Sequence, residues 1–163
     1  MTKLAFPSKE FPGQPEISLQ IPHDWEPIHP AGAVMGARQT SDEGGAFVPN
    51  VVVRVDPRPA DFELADALTE LRRFVAERPE GTSSEPVKVE LNGRMLLGCD
   101  LAWVDDRIGT VLQAHLFESL LIEGPASGPF VQLVQITGSV GGARAQQDYP
   151  TIKAIMHSLT VEA

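Results

Sequence analysis

Residues 132–159 read QLVQITGSVGGARAQQDYPTIKAIMHSL, an apolar run followed by a glycine cluster at 138–142 and then by a helix-like segment. Glycines between a strand and a helix can hold phosphate groups. A P-loop needs a lysine followed by serine or threonine, but this chain has Arg144 and no hydroxyl at the helix start. A dinucleotide fold needs a further βαβ unit, and only 21 of the 163 residues follow Gly142. The cluster therefore predicts a bend where the last strand leaves the sheet.

The segment after the glycines has the pattern of an amphipathic helix that covers a sheet. Its apolar residues recur at i, i+3, i+4 and i+7, namely Ile152, Ile155, Met156 and Leu159. Asp148 is placed to cap the N-terminus, and Pro150 would fall in the first turn, where a missing N–H costs nothing. We predict a closing helix capped by Asp148, with residues 143–147 as a link.

Upstream of this stretch, apolar and polar residues alternate over several short segments, which is typical of half-buried strands. The alternation predicts strands at 16–22, 32–40, 47–59, 87–91, 94–104, 109–122 and 130–137. Asn92-Gly93 is a strong signal for a two-residue hairpin turn, and the connections within 87–122 are too short for a parallel crossover. Proline-bounded residues 23–30 predict a turn, and the glycine-rich residues 41–46 predict a loop.

A second helix is predicted between the strands, at residues 61–78. Leu64, Leu68, Leu71 and Val75 form one apolar stripe, and Asp61 is placed to cap the N-terminus. Together these elements predict an α+β fold, with helices packed on an antiparallel sheet of about six or seven strands. We expect one domain over residues 1–163, in which the proline-rich residues 1–15 form an extended N-terminal arm.

Composition excludes several classes of function. The net charge of -9 disfavours nucleic acid as a partner, because phosphate backbones bind to positive surfaces. The single cysteine, Cys99, excludes a disulfide framework and a Cys-x-x-Cys pair. No window is apolar enough for a membrane span, and the N-terminus has no signal-peptide pattern. We expect a cytoplasmic protein, or a cell-envelope protein if the chain is a truncated mature form.

Sequence motifs for catalysis are absent. The chain has no Gly-x-Ser-x-Gly elbow, no His-Glu-x-x-His and no EF-hand loop. His23 and His29 are six residues apart, a spacing that fits neither a helical nor a strand metal site. We therefore predict no catalytic residues, no metal site and no cofactor. The alternative is a small hydrolase or isomerase with a scattered site around His115 and Asp100 or His157.

From FP at 11–12 to IMHSLTV at 155–161, the chain resembles the actinobacterial LpqN/LpqT lipoprotein family. The segments that carry the resemblance are PEISLQIPHDWE, FVPNVVVRV, LNGR, DLAW and VGGARAQQDYPTIKAIMHSL. The resemblance implies a Mog1/PsbP-like α/β/α sandwich. It also implies a non-enzymatic envelope protein, anchored by an N-terminal lipid and linked to lipid handling and to partner proteins. The chain departs from that pattern because it has no signal sequence and no lipobox cysteine.

The absent motifs and the resemblance together favour a non-enzymatic binding or adaptor domain. We expect it to bind a protein partner or an apolar, lipid-like small molecule; its oligomeric state is not predicted. The candidate contact residues are Trp25, Phe47, Pro49 and Asn50, which are predicted to lie in or beside loops.

Overall fold

The computed structural model describes residues 1–40 and 47–162, so the loop predicted at 41–46 lies outside the described residues. Within them, the chain forms ten strands and two α-helices. In chain order these are β1 (Glu16–Ser18), β2 (Trp25–Ile28), β3 (Met35–Gln39), β4 (Asn50–Pro59), α1 (Leu64–Ala76), β5 (Thr82–Ser83), β6 (Val87–Leu91), β7 (Arg94–Asp105), β8 (Gly109–Ile122), β9 (Phe130–Gly141), α2 (Ala145–His157) and β10 (Thr160–Glu162).

Two antiparallel sheets organise these strands. In the larger sheet, which has eight strands among the described residues, the order is β2-β3-β4-β9-β8-β7-β5, and β6 also pairs with β7. The smaller sheet joins β1 to β10. The α+β class and the antiparallel sheet are confirmed. The strand number exceeds the prediction because β2, β5 and β10 have only two to four residues each, too few to show a clear alternation.

The two faces of the large sheet carry different cores because side chains alternate along each strand. On the face covered by α2, here called the α2 face, the buried residues include Val51, Val53, Ile136, Val140, Ile152, Ile155 and Met156. On the opposite face, here called the α1 face, they include Leu68, Leu71, Val75, Cys99, Leu101, Phe117 and Leu133. Each predicted helix therefore buries its apolar stripe against one face of the sheet.

The glycine cluster is mostly strand rather than bend, which corrects the prediction. β9 continues through Gly141, and within the cluster only Gly142 has a positive φ, of 79°. Gly138 lies under α2, where an added Cβ would come within 2.8 Å of Met156 Sδ and 2.9 Å of Ile152 Cδ1. This glycine allows the helix to pack closely on the sheet.

The predicted start of α2 at Asp148 is also wrong. A 3-10 turn over Gly142–Arg144 leads directly into the helix at Ala145, which is buried, so the helix N-cap is Arg144. Pro150 therefore lies inside the helix, and Asp148 pairs with Arg144 at 3.6 Å instead of capping. Burial of Ala145 in the core outweighs the local capping preference.

The N-terminus of α1 likewise differs from its prediction. Glu63, and not Asp61, is the N-cap residue, and the Asp66 carboxylate accepts a hydrogen bond from the Glu63 N–H at 2.9 Å. The helix itself and its buried stripe are confirmed. The hairpin turn at Asn92-Gly93 is confirmed too, since both residues have the positive φ that this turn requires, 51° and 78°.

Candidate functional site

The N-terminal arm forms one wall of a groove at the edge of the α2 face. Residues 1–15 contain no helix or strand. With β4, β9 and the turn before β9 they line an open groove of about 630 Å³, which we call the arm groove. Its lining residues are Phe6, Glu10, Phe11, Pro12, Gln14, Val55, Pro57, Pro125, Ser127, Phe130 and Gln132. Most of these side chains are aromatic rings, proline rings or aliphatic groups.

Polar contacts at two positions hold the arm beside the sheet. The Glu10 carboxylate accepts hydrogen bonds from the Ala126 N–H at 2.6 Å and from the Ser127 N–H at 3.3 Å. Hydrogen bonding by Ser127 and by the Ala126 N–H holds the pKa of Glu10 below its usual value. Further along the arm, the Gln132 side-chain amide donates to the Gly13 carbonyl at 3.3 Å. The groove therefore depends on the arm, and the arm is anchored chiefly through an ionised Glu10.

A second group of polar side chains lies on the α1 face, on the two central strands β8 and β9. We call Gln113, His115, Gln135, Thr137 and Ser139 the polar cluster. His115, Thr137 and Ser139 are buried, and Gln113 and Gln135 are half-buried. Buried polar groups cost free energy unless they are hydrogen-bonded, and these side chains bond to one another.

His115 is the centre of this hydrogen-bond network. Its Nε2 lies 2.9 Å from Gln113 Oε1, an acceptor, so Nε2 carries the proton. Its Nδ1 accepts from Gln135 Nε2 and from Thr137 Oγ1, each at 3.2 Å. Burial lowers the pKa of His115 from 6.5 to about 4, with Asp100 opposing the shift and Arg54 adding to it. The ring is therefore neutral at pH 7.

The four predicted contact residues are not brought together. Trp25, predicted to lie in a loop, begins β2 and is 5% exposed in the core of the α2 face. The turn predicted there is wrong because Pro27 is tolerated on an edge strand. On the α1 face, Phe47 is close to Gly141, and Asn50 is paired with Ser139 of the polar cluster. Pro49, between them, is buried.

The residues of the alternative enzymatic site do not form an acid–base pair in the described part of the chain. Asp100, His115 and His157 all border a small cavity of about 150 Å³. However, the Asp100 carboxylate accepts from Tyr149 Oη at 2.7 Å and from Lys153 Nζ at 3.2 Å, and the partners of His115 are the uncharged groups given above. Adjacent register positions place His115 and Asp100 on opposite faces of the sheet.

The described residues show neither a metal-ligand cluster nor a membrane-spanning helix. Within residues 1–40 and 47–162, no three side chains of His, Cys, Asp or Glu gather where they could hold a metal ion. Neither of the two described helices has the length and the apolar sequence that crossing a membrane requires.

Sequence reasoning missed both the arm groove and the polar cluster. Phe6 and Phe11 lie among prolines without any periodicity, so no pattern indicated which surface they would face. The polar cluster did leave a signal, because β8 and β9 carry polar residues at every second position: Gln113 and His115, then Gln135, Thr137 and Ser139. Such an alternation on a central strand places polar groups on one face.

No protein-family model matches the chain, and no curated protein matches it. Solved structures do. LpqN, involved in cell envelope biogenesis of Mycobacterium tuberculosis, aligns with a TM-score of 0.73 and 17% identity over 93% of this chain and 86% of its own. PsbP from Synechocystis aligns with a TM-score of 0.57 and 12% identity over 99% and 98%. PA94 from Pseudomonas aeruginosa, of unknown function, aligns with a TM-score of 0.54 and 13% identity over 88% and 96%.

At these identities the comparisons bear on the fold alone. LpqN and PsbP both have the architecture that the sequence predicted, a large antiparallel sheet with helices packed on it. The chain therefore has the Mog1/PsbP-like fold that it shares with LpqN and PsbP.

Proposed function

We propose that the protein is a non-catalytic binding domain that holds an apolar, lipid-like molecule in the arm groove. The observation that carries this proposal is the groove itself, which has a volume of about 630 Å³ and is walled mainly by phenylalanine and proline side chains. Small-molecule sites typically have volumes of roughly 300–1,000 Å³ and mostly apolar walls with a few polar groups. The arm groove meets both criteria, with Gln14, Gln132 and Ser127 as its uncharged polar groups.

The charge of the groove favours a neutral or cationic head group on that molecule. Glu10 is the charged residue of the lining, and its carboxylate is held in place by the Ala126 and Ser127 N–H groups. A ligand with its own carboxylate or sulfate would bring a like charge close to Glu10, which is unfavourable. The net charge of -9 acts in the same direction.

The likeness to LpqN supports this proposal only by analogy. LpqN is involved in cell envelope biogenesis. One fold can carry many functions, so the argument depends on the groove and not on the shared architecture.

Replacing Phe6 with serine is expected to weaken binding of a twelve-carbon chain about tenfold, because the ring supplies apolar wall to the groove. The measurement is titration with 1-dodecanol and with dodecyltrimethylammonium below its micelle concentration, followed by backbone amide NMR shifts of Phe130 and Gln132. Dodecyl sulfate, the anionic ligand of the series, is expected to bind more weakly than either of the other two.

Leu4→Ser is the matched control for that variant. Leu4 and Phe6 lie two residues apart on the arm and are equally exposed, at 73% each, but Leu4 is not part of the groove lining. The Leu4→Ser variant should therefore bind the twelve-carbon ligands as tightly as the unaltered protein does. Equal weakening by both variants would show non-specific adsorption to the arm, and unchanged shifts at Phe130 and Gln132 would show that the groove is not the site.

A further inference from the structure

Arg54 extends the polar cluster onto a third strand. β4 pairs with β9 so that Arg54 lies opposite Gln135, Val52 opposite Thr137 and Asn50 opposite Ser139. Residues directly opposite each other in an antiparallel pair lie on the same face of the sheet. Arg54 is half-buried and shares this face with Gln135, whose side-chain amide bonds to His115.

Some hydrogen-bond donors around His115 have no acceptor of their own. His115 Nδ1 offers one lone pair, yet both Gln135 Nε2 and Thr137 Oγ1 are placed to donate to it. Ser139 Oγ accepts from Gln113 Nε2 at 3.0 Å, which leaves the Ser139 hydroxyl hydrogen available. Arg54 adds five N–H donors and no acceptor. A ligand with acceptor atoms can pair these remaining donors.

The positive charge of Arg54 is also uncompensated among the described residues. The ion pairs there use Arg38, Arg58, Arg94, Arg144 and Lys153. Arg54 is thus half-buried without a carboxylate at ion-pair distance among the described residues, in a chain with a net charge of -9. The planar fork of a guanidinium matches the two oxygens of a carboxylate or a phosphate.

We propose that Arg54 and the polar cluster form a binding site for a small oxyanion, a carboxylate or a phosphate group. Arg54 supplies the charge, and the second N–H of each half-buried amide, Gln113 and Gln135, supplies a neutral donor. Ser139 holds the Gln113 amide in place, and His115 holds the Gln135 amide. This site lies on the α1 face, on the opposite side of the sheet from the arm groove, so the two sites can be tested independently.

The probes for this site are sodium acetate and inorganic phosphate, each compared with sodium chloride at constant ionic strength and at pH 7. Binding is read from the NMR shifts of the Arg54 Nε–H and of both ring nitrogens of His115. Saturable shifts with acetate alone would assign the site to carboxylates, and those with phosphate alone to phosphate groups. Both responses support the proposal, and no saturable shift with either anion overturns it.

Arg54→Gln is expected to weaken anion binding at least about tenfold, and Arg54→Lys less, because lysine keeps the charge but loses the fork. The matched control is Arg58→Gln on the same strand and face. Arg58 is already neutralised by Glu70 at 2.7 Å, so this variant should bind as the unaltered protein does. Phe6→Ser should also leave anion binding unchanged. The amide NMR spectrum of the Arg54→Gln variant shows whether it is folded. If the folded variant bound the anion with unaltered affinity, the assignment would be contradicted.

Discussion

Replacing Gly138 with valine is expected to lower the free energy of unfolding by roughly 3 kcal/mol, because α2 lies too close to β9 to admit a side chain. A Cβ at this position would come within 2.8 Å of Met156 Sδ and 2.9 Å of Ile152 Cδ1. The propensity of valine for strands acts in the opposite direction. Chemical denaturation should therefore show stability falling in the order glycine, alanine, valine, which is the reverse of the propensity order.

A double-mutant cycle with Ile152→Val provides the control for this prediction. That substitution removes the Cδ1 atom that the new Cβ would meet. Gly138→Ala should then cost less in the Ile152→Val background than alone, since residues in contact do not act additively. Additive effects, or a Gly138→Val variant as stable as the unaltered protein, would show that α2 is not packed closely on Gly138.

Lowering the pH from 7 to 4 is expected to cost the unaltered protein about 3 kcal/mol more stability than it costs the His115→Gln variant. Burial depresses the pKa of His115 from 6.5 to about 4 in the folded chain. Between those values the unfolded chain binds a proton that the folded chain does not, so the free energy of unfolding falls as the pH falls. The contribution of neutral His115 to the free energy of unfolding is fully present above pH 6.5 and is lost as the pH falls towards 4.

The variant serves as its own control for the many carboxylates that also titrate in this range. Titration of Asp and Glu changes the stability of the unaltered protein and of the His115→Gln variant equally. The difference between the two stability curves therefore isolates the effect of His115. Urea unfolding at several pH values gives these curves, and the histidine ring shifts give the pKa directly. Parallel curves, with a ring that titrates near 6.5, would mean that His115 is exposed to water.

The strongly periodic elements could be predicted from the sequence, because the spacing of their apolar residues shows which side of each element is buried. The stripe from Leu64 to Val75 has the period of α1, and the alternation along β8 marks its two faces. The α2 helix was predicted with the wrong start, because the cap was assigned from local preference. The helix begins three residues earlier, at Ala145, because this residue is buried in the core.

Elements defined by distant pairing could not be predicted in this way. β2 contains Pro27, which usually argues against a strand, and only its pairing with Ala37 on an edge shows that the proline is harmless. Trp25 was expected in a loop for the same reason. The arm groove depends on a contact between Glu10 and the Ala126 N–H, across 116 positions of the chain. A contact between residues so far apart in the chain cannot be predicted from the local sequence pattern.

The pairing of β1 with β10 also has a mechanical consequence. The register Glu16↔Glu162 joins the first and last described strands in a short antiparallel ribbon. A stretching force applied at residues 16 and 162 acts on the same end of that ribbon, so its hydrogen bonds break one at a time. The ribbon should therefore open like a zipper at low force, before β4, β9, β8 and β7 bear any load. Single-molecule stretching with handles attached at residues 16 and 162 would record this opening as a separate first step.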